Sequence, residues 1–177
     1  MSSPQPKVLI PTDTIAQKVA ELGARISLDY ARRQPLLLIG VLKGSFIFLA
    51  DLSRRITIPH AVDFIALSSY GKATRSTGEV RLIMDLRQAI AGKHVLIVED
   101  IVDTGQTLAY LMHLLDAREP ASLRTCTLVH KPSRREVEVA LDYLGFDIPD
   151  KWVVGYGLDY ADQFRTLPYI GYVEPAK

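Results

Sequence analysis

His94-Val95-Leu96-Ile97-Val98-Glu99-Asp100-Ile101-Val102-Asp103-Thr104-Gly105-Gln106-Thr107 is the stretch that decides the fold. Val95 to Val98 reads as an apolar strand that stops abruptly at two adjacent carboxylates, Glu99 and Asp100. Asp103 follows, and Thr104-Gly105-Gln106-Thr107 then opens a helix. Its apolar positions, Leu108, Leu111, Met112 and Leu115, recur at i, i+3, i+4 and i+7. In open α/β sheets, ligands gather at the carboxyl ends of strands. A helix N-terminus placed there offers unpaired N–H groups and a favourable dipole to an anion. Gly105 permits close backbone approach, and the hydroxyls of Thr104 and Thr107 can donate to phosphate oxygens.

Carboxylates repel phosphate, so three of them beside an anion cradle must face something else. Ribose hydroxyls and a divalent cation are the natural partners, since hard cations take oxygen ligands and magnesium often bridges carboxylates and phosphates. The plainer reading is that Asp100 or Asp103 merely caps the following helix. It explains poorly why a buried strand should end in Glu-Asp with a third acid so close. The spacing also excludes a P-loop, which needs G-x-x-x-x-G-K-[ST], and a dinucleotide fold, which needs G-x-G-x-x-G.

Outward from this segment the pattern alternates between strand and helix. Thr12 or Thr14 is placed to cap a first helix, with Ile15, Val19, Leu22 and Ile26 along one face. Leu36 to Leu42 is a continuous apolar run, as expected of a strand buried on both faces of a parallel sheet. Lys43-Gly44-Ser45 makes a turn, and Phe46 to Arg54 reads as a second helix. Val62 to Leu67, Val80 to Met84 and Leu123 to Val129 complete the strand set, with the Val95 strand counted fourth of five. Ser68 to Gly78 is a long polar loop, and loops of that size in compact domains are usually functional. The expectation is an α/β domain with a mainly parallel sheet flanked by helices. It forms one unit over 1–177, with a core over about 8–130 and a C-terminal hood over about 131–177 that packs over the active edge of the sheet.

Composition narrows the classes. The 177 residues suit one domain, 48% are hydrophobic and 23% charged, and the net charge is +1. The pairs Arg32-Arg33, Arg54-Arg55 and Arg134-Arg135 are scattered and read mostly as solvated surface. No basic stripe suggests a nucleic-acid partner, and no apolar run approaches a membrane span. Cys126 stands alone in Cys126-Thr127-Leu128-Val129, which reads as a core thiol in a reducing compartment. With no secretory pattern near Met1, the expectation is a cytoplasmic protein.

The segment Val95 to Thr107 resembles the phosphoribosyl pyrophosphate (PRPP) signature of type I phosphoribosyltransferases, and more narrowly that of the hypoxanthine (hypoxanthine-guanine) group. Three further segments resemble the group in register. Val41-Leu42-Lys43-Gly44-Ser45-Phe46 is similar to its pyrophosphate loop. Val62-Asp63-Phe64 through Ser69-Tyr70 and Ser76-Thr77-Gly78 is similar to its mobile catalytic loop. Asp147 to Tyr160 (DIPDKWVVGYGLDY) is similar to its purine-binding and metal-binding end.

The resemblance implies roles. Glu99 and Asp100 hold the ribose hydroxyls, directly or through Mg²⁺, and Asp159 helps hold a second Mg²⁺ near the base. Asp103 sits near N7 of the incoming purine as general base or proton partner. Thr104, Gly105, Gln106 and Thr107 wrap the 5-phosphate. Lys43 and Gly44, where the family carries a non-proline cis peptide, contact pyrophosphate, as does Arg165. Lys131 donates to the exocyclic oxygen of a 6-oxopurine, Trp152 stacks on the ring, and the Val153 backbone reads the base edge. Ser69 and Tyr70 work at the end of a closing lid. Trp152 departs from the family, which more often has Phe or Tyr there. Taken without the resemblance, Trp152 reads as a partly buried core residue and Lys43 as an exposed strand-end lysine. His130 carries no assigned role.

The implied activity is purine salvage, with PRPP and hypoxanthine (and guanine) giving IMP (GMP) and pyrophosphate, in a homo-oligomer of two or four chains. Two rivals stand beside it. One is a PRPP-sensing regulator that binds nucleic acid, against which the charge balance argues. The other is a transferase for another base. Lys131, Trp152 and GYGLDY argue against adenine and uracil, and xanthine stays open.

Overall fold

A computed structural model gives the structure of the chain and describes residues 5–69 and 80–174. The apolar run at its centre, β2 (Leu36–Leu42), is buried along almost its whole length. It lies between β3 (His60–Ser69) and β5 (His94–Val102), parallel to both. β6 (Ser122–His130) and β7 (Tyr143–Asp147) continue the parallel set, and β4 (Val80–Met84) closes the other edge antiparallel, giving the order β4-β3-β2-β5-β6-β7.

Alternate residues explain why the central strands read as unbroken apolar runs. Leu36, Leu38, Leu96 and Val98 face one core cluster with α1 (Thr12–Asp29) and α2 (Phe46–Arg55), through Ile15, Val19, Leu22, Ile26, Phe48 and Leu52. Leu37, Ile39, Val41, Val95 and Ile97 face the other, with Leu108, Leu111 and Leu115 of α3 (Gln106–Asp116). A sheet covered on both sides has no polar face to alternate with. Cys126 is wholly buried and burial pushes its thiol far up, so it is an inert core residue.

A second, three-stranded sheet in the order β1-β9-β8 joins the chain's two ends: β1 (Lys7–Ile10), β8 (Trp152–Val154) and β9 (Ile170–Val173). These strands escape sequence reading because each spans only three or four residues. The chain beyond Lys131 divides between the sheets, since β7 extends the larger one.

Three local expectations are corrected. The first helix is capped by the extended Pro11 without a side-chain hydrogen bond, so neither Thr12 nor Thr14 is its cap; Thr12 is already helical. The strand of the signature does not stop at Glu99. It runs to Val102, because its neighbour β6 pairs with it as far as Val102↔His130. The non-proline cis bond joins Leu42 to Lys43, one bond before Lys43-Gly44. Of the long loop, Tyr70 and residues 71–79 lie outside the described residues, and Ser69 is described only as the last residue of β3.

Candidate active site

The carboxyl ends of β2 and β5 bring the Lys43-Gly44 turn against the acidic strand end. A Cβ built on Gly44 would stand 1.7 Å from Oδ2 of Asp100, so only glycine fits there. Gly157 presses on the same loop from the other side, since its Cβ would lie 1.9 Å from the Gly44 carbonyl oxygen. Tyr156 and both flanking glycines take positive φ, which lets the chain fold tightly there.

Glu99 and Asp100 are both buried, with 8% of each exposed. Oε2 of Glu99 has no hydrogen-bond partner within the protein. Burial, then the neighbouring Asp100 charge, pushes the Glu99 carboxyl well above its ordinary range, and burial likewise raises Asp100. A buried carboxylate pair with an orphaned oxygen is costly unless something external engages it. Hydroxyls or a hard cation would do so, which fits the ligand class expected of these residues. Asp159 is differently placed: its Oδ1 is 2.7 Å from Nη2 of Arg165, and its Oδ2 accepts from the Asp162 amide at 2.7 Å. Among the described residues no three metal-ligating side chains converge. Glu99, Asp100 and Asp159 therefore form no protein-only cage, and a magnesium ion here would draw ligands from substrate and water, as that ion commonly does.

Beyond β5 the chain turns at Gly105, whose φ of 89° makes it a left-handed N-cap for α3. Glu99, Asp103, Thr104, Gly105 and Thr107 share a pocket of about 210 Å³ at this helix end. The loop is backed from behind: the amides of Glu136 and Val137 both donate to the Thr104 carbonyl, at 2.9 and 3.0 Å. The Gln106 side chain is turned away, donating to Glu136 at 2.7 Å, so Gln106 can offer the cradle its backbone rather than its amide side chain.

A larger pocket, about 470 Å³, opens next to Asp100 and is lined by Asp103, Lys131, Trp152, Val153 and Asp159, which are sequence-predicted base-side residues. Nζ of Lys131 lies 3.9 Å from Asp103 and 3.5 Å from Asp150, with Lys131 itself buried. Trp152 is 54% exposed at the pocket's edge, which disposes of the core-tryptophan reading. Lys43 pairs with Asp162 at 3.3 Å. Arg165 is held by Asp159, Asp162 and the Gly157 carbonyl, which places it beside the Gly44 loop.

Ile101, Arg134, Asp150 and Leu158 also line the larger pocket and were missed from the sequence. Arg134 had the appearance of a solvated arginine, yet its Nε donates to Oδ1 of Asp103 at 3.1 Å. Arg135 is also engaged, donating to the carbonyl of Val137 at 2.7 Å and meeting His130 Nε2 at 3.1 Å. His130 is completed by Asp147, 2.8 Å from its Nδ1, so the histidine belongs to a strand-end network behind the site. The polar turn Lys131-Pro132-Ser133-Arg134 was the available signal.

Comparison with known proteins meets this geometry from outside. A family described as "Phosphoribosyl transferase domain" matches residues 11–161. Hypoxanthine phosphoribosyltransferase of Salmonella typhimurium is 50% identical over 168 residues, covering 94% of each chain. The protein of the same name from Haemophilus influenzae is 51% identical over the same span and coverage. Among solved structures, a hypoxanthine phosphoribosyltransferase of Staphylococcus aureus superposes with a TM-score of 0.90 at 46% identity, covering 96% of this chain and 91% of that one. A hypoxanthine-guanine phosphoribosyltransferase of Bacillus anthracis gives 0.90 at 43%, covering 97% and 100%. Likeness at this level over nearly the whole length, carried by the same fold, means that the chain belongs to the phosphoribosyltransferase family, in its hypoxanthine phosphoribosyltransferase group.

Proposed function

We propose that this enzyme transfers the 5-phosphoribosyl group of PRPP to hypoxanthine in purine salvage, releasing pyrophosphate and IMP, and that guanine is a further acceptor, giving GMP. The observation that carries the reading is the pairing of Lys131 with Asp103, 3.9 Å apart in one pocket beside the buried Glu99-Asp100 pair. A 6-oxopurine presents an acceptor, O6, next to a ring nitrogen, N7, that can carry a proton. Lys131 donates to the first and Asp103 accepts from the second. An adenine amino group would offer the ammonium no comparable acceptor.

The remaining residues divide the other substrate. The amides of Gly105, Gln106 and Thr107 at the start of α3 take the 5-phosphate. Glu99 and Asp100 face the ribose hydroxyls, while the Gly44 backbone and Arg165 take the pyrophosphate. Mg²⁺, held on the substrate side of Glu99, Asp100 and Asp159, would neutralise the departing pyrophosphate. N9 of the base forms its bond to the anomeric carbon as the carbon–oxygen bond to pyrophosphate breaks, the electron pair leaving with that oxygen. The N7 proton passes to Asp103, whose charge also offsets the positive charge building on the sugar ring. Trp152 stacks on the purine and the Val153 backbone reads its edge. Closure of the segment from Ser68 to Gly78, with Ser69 and Tyr70 at its working end, would keep water from the reactive centre.

We read the chain as one functional unit that works as a homo-oligomer, a dimer or a tetramer, in the cytoplasm. Among the described residues no helix is long and apolar enough to cross a membrane. Initial rates with hypoxanthine, guanine, xanthine and adenine test the base assignment. Hypoxanthine should be used well and adenine not at all. Comparable rates with adenine would contradict the Lys131 role.

A further inference from the structure

The turn at the start of α3 is held from its far side by a clip of chain. A Cβ on Gly105 would stand 2.5 Å from the Val137 carbonyl oxygen and 3.2 Å from Nε of Arg135, so the clip lies directly against the turn. Arg135 holds its own segment in shape. Its Nε donates to the Val137 carbonyl at 2.7 Å, and its Nη2 donates to the carbonyl of Val139. The amides of Glu136 and Val137 then fix the Thr104 carbonyl, and the Glu136 carboxylate takes the Gln106 side chain. The turn from Thr104 to Gln106 thus inherits its position from the segment that Arg135 folds.

Nη1 of Arg135 meets Nε2 of His130 at 3.1 Å, and Oδ1 of Asp147 lies 2.8 Å from Nδ1 across the ring. A guanidinium only donates, and a carboxylate accepts. The imidazole satisfies both only as the neutral ring with its proton on Nδ1, which leaves the Nε2 lone pair to Arg135. A second proton, on Nε2, would set two donors against each other. The charged groups facing His130 are Asp147 from β7 and Arg135 from the segment after the short turn, while its register partner on β5, Val102, carries no charge. Asp103, Lys131, Arg134 and Asp150 pair among themselves.

We propose that His130 and Arg135 are positioning residues for the phosphate turn, and that His130 must be neutral for PRPP to bind at full strength. This rests on the reading under Proposed function, in which the start of α3 takes the 5-phosphate. Imidazole changes charge between about pH 5 and 8. Protonated His130 releases Arg135, the clip loosens, and the amides at the start of α3 lose their preset geometry for the phosphate. By reciprocity, binding of PRPP drives that proton off His130.

The test is calorimetric titration of PRPP, with Mg²⁺, into the wild type, His130→Gln and Arg135→Gln at about pH 6 and about pH 8. Glutamine offers Arg135 a carbonyl oxygen in place of Nε2 and does not titrate. From the higher pH to the lower, the wild type should lose about five- to tenfold more affinity than His130→Gln, the worth of one contact. Ionisation of PRPP itself is common to both proteins and cancels in the comparison. Titrations near the middle of that range, in buffers of differing ionisation enthalpy, count protons. The wild type should release more of them than His130→Gln. A histidine that only supported the fold would leave this count unmoved. Arg135→Gln should bind PRPP about five- to tenfold less tightly at the higher pH and lose the excess pH dependence. Parallel pH profiles, equal proton counts, or full PRPP affinity in Arg135→Gln would each overturn the proposal. Failure of the wild type to bind PRPP at either pH would strike the phosphate assignment and this proposal with it, whereas tight binding with parallel profiles strikes the His130 role alone.

Discussion

Gly44 lies against Asp100 so closely that the first carbon of any side chain at 44 would sit 1.7 Å from the carboxylate oxygen Oδ2. The Lys43-Gly44 turn and the acidic strand end are thus a single packed unit, although far apart in the sequence. Gly44→Ala must push one away from the other. Overpacking of this kind costs about 1–3 kcal/mol. If that displacement falls on the PRPP site, kcat/KM for PRPP drops by roughly one to two orders of magnitude. The thermal midpoint and steady-state kinetics should be measured together. A full-activity alanine variant would contradict the packing.

Asp103→Asn keeps the shape of the side chain and removes its capacity to accept the N7 proton. Turnover should fall by about 10²–10⁴-fold, with PRPP affinity little altered. Equal losses in kcat and in PRPP binding, read by kinetics and calorimetry, would count against the proton-partner role. Arg134, now 3.1 Å from Asp103 Oδ1, would keep the neutral amide in place.

Glu99 is raised well above its ordinary value of 4.5 by burial and by Asp100, so the folded form keeps a proton that the unfolded chain has released. That contribution to stability is complete below about pH 4.5 and is lost as pH rises through the raised value. Asp100 is shifted the same way. The ligand-free enzyme should therefore melt at lower temperature as pH climbs from the acid range toward neutrality. Glu99→Gln should flatten that slope and raise the neutral-pH midpoint while weakening PRPP binding. A Glu99→Gln profile parallel to that of the wild type would refute the assignment.

Tyr156 ties the base-side turn to α2, its buried hydroxyl donating to Oδ2 of Asp51 at 2.6 Å. Its phenol is pushed upward by burial and by that carboxylate, so it stays a donor at all working pH values. Removing the hydroxyl leaves Asp51 with Arg54 as its remaining partner. Tyr156→Phe should cost about 1.5–3 kcal/mol in denaturant unfolding, the usual worth of a hydrogen bond to a charged group. A change within error would show the contact to be idle.

Much of this arrangement is legible in the sequence, for identifiable reasons. The runs at Leu36 to Leu42 and Val95 to Val98 announce buried parallel strands because both faces must be apolar. The pocket at the start of α3 is legible because Gly105, the threonines and the acids are neighbours in the chain. What escapes is tertiary. The short strands β1, β8 and β9 gain their hydrogen bonds only from one another, across the whole length of the chain. Arg134 and Asp150 look like ordinary surface charges until the short 3₁₀ turn at Pro132–Arg134 carries the arginine to Asp103. The Gln106 side chain is held by Glu136, which comes from a distant segment that local sequence reading does not connect to it.

Isothermal titration with PRPP and Mg²⁺ measures most directly whether the buried acidic pair and the start of α3 form a single sugar-phosphate site. The wild-type protein should bind one PRPP per chain, and the Glu99→Gln, Asp100→Asn double variant should bind it at least about 100-fold more weakly, two charged-group contacts being lost. No binding heat from the wild-type protein, or an affinity untouched by the double substitution, would contradict the account.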